Sequence, residues 1–176
     1  YRGAANLSKT GTSDDDSYGG NYFEGDVVLN NSGSGHVRMA STASDTFQVS
    51  LTANISGSDH IYIAGEGDNY IGGDLNVNNT STSGNAYFYL AVNTTSSVRI
   101  DGNLTLDNNA SSTNYNAYIG TSGDVDLNGS LYMNNRGTGT NASVVVANAT
   151  SSSVDIQGKT TAINGGPTNG AYFYLG

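Results

Sequence analysis

The chain has 176 residues, of which only 12% are charged, with 24 glycines, one proline and no cysteine or tryptophan. Because Asn, Ser, Thr and Gly dominate and all disfavour helices, the composition excludes a largely helical fold. Six basic and 15 acidic residues give a net charge of −9, so a phosphate backbone would be repelled and no nucleic-acid partner is expected. No apolar run approaches the roughly 18 residues of a membrane span, and no membrane insertion is expected.

The chain begins at Tyr1 instead of Met, so we interpret it as a processed secreted product with an extracellular or cell-surface location. Residues 1–21 carry no regular apolar pattern and end in the acidic stretch Ser-Asp-Asp-Asp-Ser-Tyr-Gly-Gly at 13–20. We predict an N-terminal extension over residues 1–21, acting as a subunit connector or as a cap. Residues 22–176 are predicted to form a separate repeat domain.

Within the repeat domain, short alternating apolar runs separated by Gly, Asn and Ser predict β-strands. Upstream, the alignment makes Val27 and Leu29 equivalent to Phe47 and Val49 on the next rung, and these equivalent to Leu75 and Val77 on the rung after that. Downstream, the self-similarity is clearer. Four segments align at offsets of 29, 27 and 29 residues: 70–79, 99–108, 126–135 and 155–164.

Three short strands per 27–29 residues, with Gly or Asn at the corners, predict a right-handed parallel β-solenoid of about six rungs. In this arrangement Leu104 and Tyr118 point inward, above Leu131 and Val145 of the next coil. Four asparagines would stack as a hydrogen-bonded ladder between rungs, at Asn79, Asn108, Asn135 and Asn164. A β-sandwich or jelly roll remains the alternative, because strands every 8–12 residues also suit it.

Rows such as Arg-Ile-Asp-Gly-Asn-Leu-Thr-Leu-Asp-Asn at 99–108 resemble the repeats of filamentous-haemagglutinin-like parallel β-helix surface proteins of prokaryotes. Similar rows occur in phage tail fibres. The resemblance covers residues 22–176 and implies a β-helix fold. It transfers no catalytic residue, because such repeats serve adhesins, filaments and polysaccharide-degrading enzymes alike.

Candidate chemical sites have simpler interpretations. His36 and His60 occupy equivalent positions on adjacent rungs, but a third metal ligand is missing. Asp126 and Asp155 stack as a glycosidase pair would, yet the alternation sends them outward. The acidic run at 14–16 lacks the spacing of known calcium loops. We therefore expect no catalytic residue, no metal site and no cofactor, and hence no enzyme.

Asn-x-Ser/Thr sequences are frequent, and glycosylation is an open alternative at Asn54, Asn93, Asn103, Asn109, Asn141 and Asn148. The tyrosines of the Tyr-Phe-Tyr runs at 87–89 and 172–174 alternate between core and surface. The outward ones would form an aromatic strip suited to sugar stacking or to subunit packing.

The expected function is structural: a subunit of an extracellular self-assembling filament or surface fibre, whose partner is a second copy of itself. A solenoid leaves open strand edges, and the predicted subunit interface joins a bare aromatic strand to the first rung. Its residues are Tyr22, Phe23, Ala171, Tyr172, Phe173, Tyr174 and Leu175. The alternative is a carbohydrate-binding adhesin or tail-fibre module.

Overall fold

The computed structural model describes residues 1–111, 114–138, 141–147, 150–165 and 171–175. These residues form twenty β-strands. Every strand pair is parallel, and the strands build three sheets. The predicted all-β parallel solenoid is therefore confirmed, and the antiparallel sandwich is excluded. The described ranges hold no helix long and apolar enough to cross a membrane.

The three sheets are named A, B and C in the order in which each coil visits them. Sheet A contains β1 (Ala5–Lys9), β4 (Val27–Asn31), β7 (Leu51–Ile55), β10 (Leu75–Asn79), β13 (Leu104–Asn108), β16 (Leu131–Asn135) and β19 (Thr160–Asn164). Sheet B contains β2 (Asp15–Asp16), β5 (Val37–Arg38), β8 (Ile61–Ile63), β11 (Phe88–Leu90), β14 (Asn114–Ile119), β17 (Asn141–Val146) and β20 (Ala171–Leu175). Sheet C contains β3 (Tyr22–Phe23), β6 (Thr46–Phe47), β9 (Gly67–Ile71), β12 (Ser96–Ile100), β15 (Asp124–Leu127) and β18 (Val154–Ile156).

Six coils each contribute one strand to all three sheets, and β19 with β20 begin a seventh coil in the described residues. In the second half of the chain the register is the predicted one: Leu75, Leu104 and Leu131 lie side by side on successive coils. The Leu104–Leu131 neighbourhood that the solenoid required is therefore present. The offset there is 29 and then 27 residues.

In the first half the coils are shorter, and the predicted register is wrong. Leu75 pairs with Leu51 and not with Phe47, while Phe47 belongs to sheet C and pairs with Ile71. Val27 likewise pairs with Leu51. The offset between these coils is 24 residues. The predicted alignment spaced its rows 20 and 28 residues apart, because it assigned Phe47 to the sheet of Val27 and Leu75 instead of to sheet C.

The N-terminal residues are part of the solenoid, not an extension preceding it. Strand β1 pairs residue by residue with β4, from Ala5 beside Val27 to Lys9 beside Asn31. Strand β2 pairs with β5 in sheet B. The first coil therefore begins at Ala5 and not at Tyr22, and the boundary predicted between residues 21 and 22 separates β2 from β3 of the same coil.

The core is a continuous stack of side chains enclosed by the three sheets. Strands of sheet A alternate between buried and partly exposed residues, as β13 does with buried Leu104 and Leu106. Sheet B follows the opposite phase from the predicted one: Ala117 and Ile119 are buried, whereas Tyr118 and Val145 face outward. The prediction placed Tyr118 in the core, but its neighbour Ala117 occupies the inward position.

Two of the three corners have a distinct backbone feature. Between sheets C and A, a Cβ on Gly129 would lie 2.1 Å from the backbone oxygen of Gly102, so these two coils approach too closely at Gly129 for a side chain. After sheet B the chain turns through the left-handed region. Four alanines and one glycine share this conformation at equivalent corners: Ala40, Ala64, Ala91, Gly120 and Ala147.

Candidate functional site

An inner asparagine ladder lies inside the corner between sheets A and B. Asn79 Nδ2 donates to Asn108 Oδ1 at 3.2 Å, and Asn108 Nδ2 donates to Asn135 Oδ1 at 2.8 Å. The Oδ1 of Asn108 also accepts from the backbone N–H of Ala110. Asn164 stands in register with Asn135 but is exposed at the end of the stack. The ladder thus serves the fold, because it satisfies buried backbone groups at the turn.

A second, outer asparagine ladder runs along the surface of sheet A. Asn30 donates to Asn6, Asn54 donates to Asn30, and Asn78 donates to Asn54, at donor–acceptor distances of 2.8 to 3.0 Å. The predicted alignment set Asn30 beside Ser50 instead of Asn54 and placed Asn6 in the N-terminal extension, so it did not reveal this ladder. It extends the same cross-coil bonding to the first coil.

The outward face of sheet B carries two columns of aromatic rings. In one column Tyr62 stacks on Tyr89, with ring centroids 4.6 Å apart, and Tyr89 stacks on Tyr118 at 5.0 Å. In the other column His60 stacks on Tyr87 at 4.6 Å. The two columns meet edge to face, as Tyr87 and Tyr89 do. Burial within this face raises the pKa of Tyr89 and lowers that of His60.

The faces of the rings in the tyrosine column are already occupied. Tyr89 is covered by a tyrosine ring on each side, and the guanidinium of Arg38 lies 4.9 Å from the Tyr62 centroid. Tyr118 is followed by Val145 in the register. Sugar stacking needs a free ring face, so this column offers a ligand only ring edges and hydroxyl groups.

Two carboxylates of the acidic run at 14–16 flank one histidine, and the third faces a lysine. Asp14 lies 3.1 Å from His36 Nδ1, and Asp16 lies 3.1 Å from His36 Nε2. Asp15 points toward the interior, 3.7 Å from the ammonium of Lys9. The described residues contain no group of three or more His, Cys, Asp or Glu arranged to hold a metal ion.

The carboxylate pair considered for glycoside hydrolysis lies on the outside of sheet C. Asp126 and Asp155 are in register on adjacent strands, each between inward-facing neighbours. Arg99, which stands beside Asp126 in the register, instead pairs with Asp101 at 2.8 Å. The pair thus lies on a sheet surface, as the alternation predicted.

The N-terminal end of the solenoid is formed by the first coil and Tyr1. The Tyr1 ring stacks on Phe23 at 4.8 Å, and the Tyr1 amino group donates to the carbonyl of Tyr22. Glu24 N–H donates to the Tyr1 carbonyl in turn. Phe23, predicted as an interface residue, is 1% exposed between Tyr1 and Phe47. Tyr1 therefore takes the outermost place on this sheet, while Tyr22 remains exposed.

The C-terminal end presents the edges of β19 and β20. Thr160, Ala162 and Asn164 occupy inward register positions but are exposed, since no later coil of the described chain covers them. Phe173 is partly buried and Tyr174 is 53% exposed. The backbone of Ala171, Tyr172 and Leu175 belongs to the same edge strand. Most of the predicted C-terminal interface thus lies on an open sheet edge.

The predicted glycosylation sites differ in their surroundings. The side-chain amides of Asn54, Asn93 and Asn103 each donate a hydrogen bond within the chain. Asn109 is exposed directly after strand β13. Asn141 begins strand β17, and Asn148 lies outside the described residues.

Comparison with known proteins found no matching family model, no matching curated protein and no matching solved structure.

Proposed function

We propose that the chain is a structural subunit of an extracellular self-assembling filament or surface fibre, in which copies join head to tail through their sheet edges. The observation that carries this proposal is the match between the two ends. Strands β1 and β19 are the opposite edges of sheet A, both have five residues, and both run in the same direction. A second copy placed one rung beyond β19 continues the sheet without changing strand direction.

The hydrogen-bonding groups at the two edges are complementary. Leu131 N–H donates to the Lys159 carbonyl, and Gly165 N–H donates to the Asn135 carbonyl. In a parallel pair the groups alternate in direction, so the N–H groups of Thr160, Ala162 and Asn164 point away from β16. By the same alternation, the free carbonyls of β1 belong to Asn6 and Ser8, because Ala5 and Lys9 already bond to the second coil.

Sheet C supports the same joint. Its last strand is β18, so the seventh coil supplies strands to sheets A and B in the described residues. Tyr1 lies beyond β3 on the side where a further sheet C strand would lie. In a head-to-tail joint, Tyr1 of one copy fills the sheet C position of the other copy's seventh coil. Such a heterologous contact does not close on itself, so it builds a fibre.

The test is the assembly state of the 176-residue chain, followed by sedimentation and negative-stain electron microscopy over a range of concentrations. Ala162→Pro removes one outward N–H from β19 and none that bonds within the chain. We expect fibres from the unchanged protein and monomers from Ala162→Pro. Ala162→Ser keeps the N–H and is the matched control, expected to form fibres.

Two results would contradict the proposal. If the unchanged protein stays monomeric at every concentration, the proposed filament function is wrong. Fibres from Ala162→Pro that match those of the control would show that the edge of sheet A is not the joint. Circular dichroism of each variant establishes that it has folded.

The second candidate is a carbohydrate-binding adhesin or tail-fibre module. The supporting observation is the row of outward tyrosines on sheet B, whose hydroxyl groups are suited to hydrogen-bond sugar hydroxyls. The covered faces of Tyr62, Tyr89 and Tyr118 make this candidate the weaker one. Binding of the monomeric Ala162→Pro variant to a glycan array would favour it.

A further inference from the structure

The N-terminal end of the solenoid contains an open cavity of about 230 Å³. Its floor is apolar and comes from the second coil, while its rim comes from the first coil. Leu29, Val37 and Met39 line the floor of the cavity. Leu7, Lys9 and Asp15 line its rim. The cavity therefore lies over the N-terminal end of the hydrophobic core, and its three floor side chains are 3 to 6% exposed.

The cavity exists because the first coil lacks a large apolar residue in sheet B. In the inward column of that sheet, Asp15 stands where the following coils have Val37, Ile61 and Phe88. The Asp15 side chain is 65% exposed and reaches toward the Lys9 ammonium at 3.7 Å. No side chain of the first coil's second strand therefore fills the space above Val37.

At the opposite end of the same column stands an apolar side chain, Phe173, that no later coil of the described residues covers. Phe173 follows Val144 in the inward register of sheet B and is only partly buried. A cavity of roughly 150 Å³ lined by apolar side chains accommodates a benzene molecule. A phenyl ring therefore fits the 230 Å³ space. The cavity and Phe173 lie at opposite ends of the same inward column of sheet B.

We propose that Phe173 of one copy inserts its ring into the N-terminal cavity of the next copy. This inference rests on the proposed head-to-tail assembly and names the side chain that anchors it. The ring packs on Leu29, Val37 and Met39, and the aliphatic stem of Lys9 closes one side. The ion pair of Lys9 with Asp15 stays at the rim, where it borders the ring without being replaced.

The test compares critical concentrations for fibre formation, measured by sedimentation. Phe173→Ala is expected to raise the critical concentration about thirtyfold, as truncation of an interface anchor does. Phe173→Leu keeps most of the apolar volume and is the matched control, with a value near that of the unchanged protein. Melting curves of the variants below their critical concentrations verify that β20 remains folded.

A second variant tests the cavity itself. Leu7→Trp fills the space from within the same copy and is also expected to raise the critical concentration. The double variant Leu7→Trp with Phe173→Ala is expected to assemble better than either single variant, because one aromatic ring again occupies the space. The inference would be overturned if Phe173→Ala had the critical concentration of the unchanged protein, or if the increases in the two single variants simply added in the double variant. Either result would leave the filament function intact. Absence of fibres from the unchanged protein would instead refute the filament function and the inference with it.

Discussion

Replacing Asn108 by alanine tests whether the inner asparagine ladder holds the coils together. The Asn108 side chain makes three hydrogen bonds, to Asn79, Asn135 and the N–H of Ala110, and its residue is 2% exposed. Alanine leaves buried donors and an acceptor without these partners, and water does not reach them. At roughly 1 to 2 kcal/mol for each of the three interrupted buried bonds, we expect a loss of about 3 to 6 kcal/mol in the free energy of unfolding.

Asn54→Ala is the matched control, because Asn54 occupies a rung of the outer ladder on the same sheet. It also bonds to asparagines on both sides, Asn30 and Asn78, but water replaces those partners at the surface. We expect a loss of about 1 kcal/mol or less there. Urea denaturation of monomeric protein, followed by circular dichroism, measures both. Equal losses from the two variants would refute the distinction between a structural inner ladder and a replaceable outer one.

Three further predictions concern the core, a corner and a buried acid. Leu131→Asp is expected to abolish cooperative melting of the neighbouring coils, because an unpaired carboxylate in a dry core costs several kcal/mol; Tyr132→Asp, on the next and 43% exposed residue, should melt almost normally. Gly129→Ala should lower the free energy of unfolding by about 2 kcal/mol, since its Cβ would lie 2.1 Å from the Gly102 carbonyl oxygen; an unchanged denaturation midpoint would contradict this. Burial raises the pKa of Asp45 above its usual 3.8, against hydrogen bonds from Asn21 that lower it, so the folded state favours the protonated acid. Stability should therefore fall as the pH rises above 3.8 through the folded-state pKa, and Asp45→Asn should be more stable than the unchanged protein at pH 7 but not at pH 3, as judged by denaturation midpoints.

The downstream coils could be predicted because their corners are marked in the sequence. Gly102, Gly129 and Gly158 stand where adjacent backbones touch, and the strands after Gly102 and Gly129 share the same apolar alternation. Strand register follows from these fixed points alone, since a slip by one residue would turn every core side chain outward. The division of the downstream coils into three parallel sheets could thus be predicted from the spacing of the glycines and the apolar alternation.

The upstream register was hidden because one corner lacks its glycine. Val49 occupies the place that Gly73 takes in the next coil, so apolar alternation runs without a break from Phe47 through Leu51. In the structure Val49 is 38% exposed at the corner. A periodicity of two does not distinguish a corner valine from a core valine, and the two strands merged into one prediction.

The predictions for the first coil and for the inward-facing positions of sheet B were wrong for different reasons. The first coil places Lys9 and Asp15 at inward positions, so it lacks the apolar pattern that defines a rung. In sheet B, size misled the prediction: Tyr118 looked like core, but its stacking on Tyr89 stabilises it outside. Both failures arise from contacts between coils, which a single sequence does not display.

The direction of the backbone hydrogen bonds has a mechanical consequence. Strands of successive coils are stacked in parallel register, so these bonds run along the axis of the stack. Tension along that axis loads the coils in series, and with no cysteine in the chain no disulfide ties one coil to the next. A coil that peels away at the Leu75–Leu104 register releases 29 residues, or roughly 100 Å of extended chain. Under load, such a molecule would lengthen in discrete steps and dissipate work before it broke.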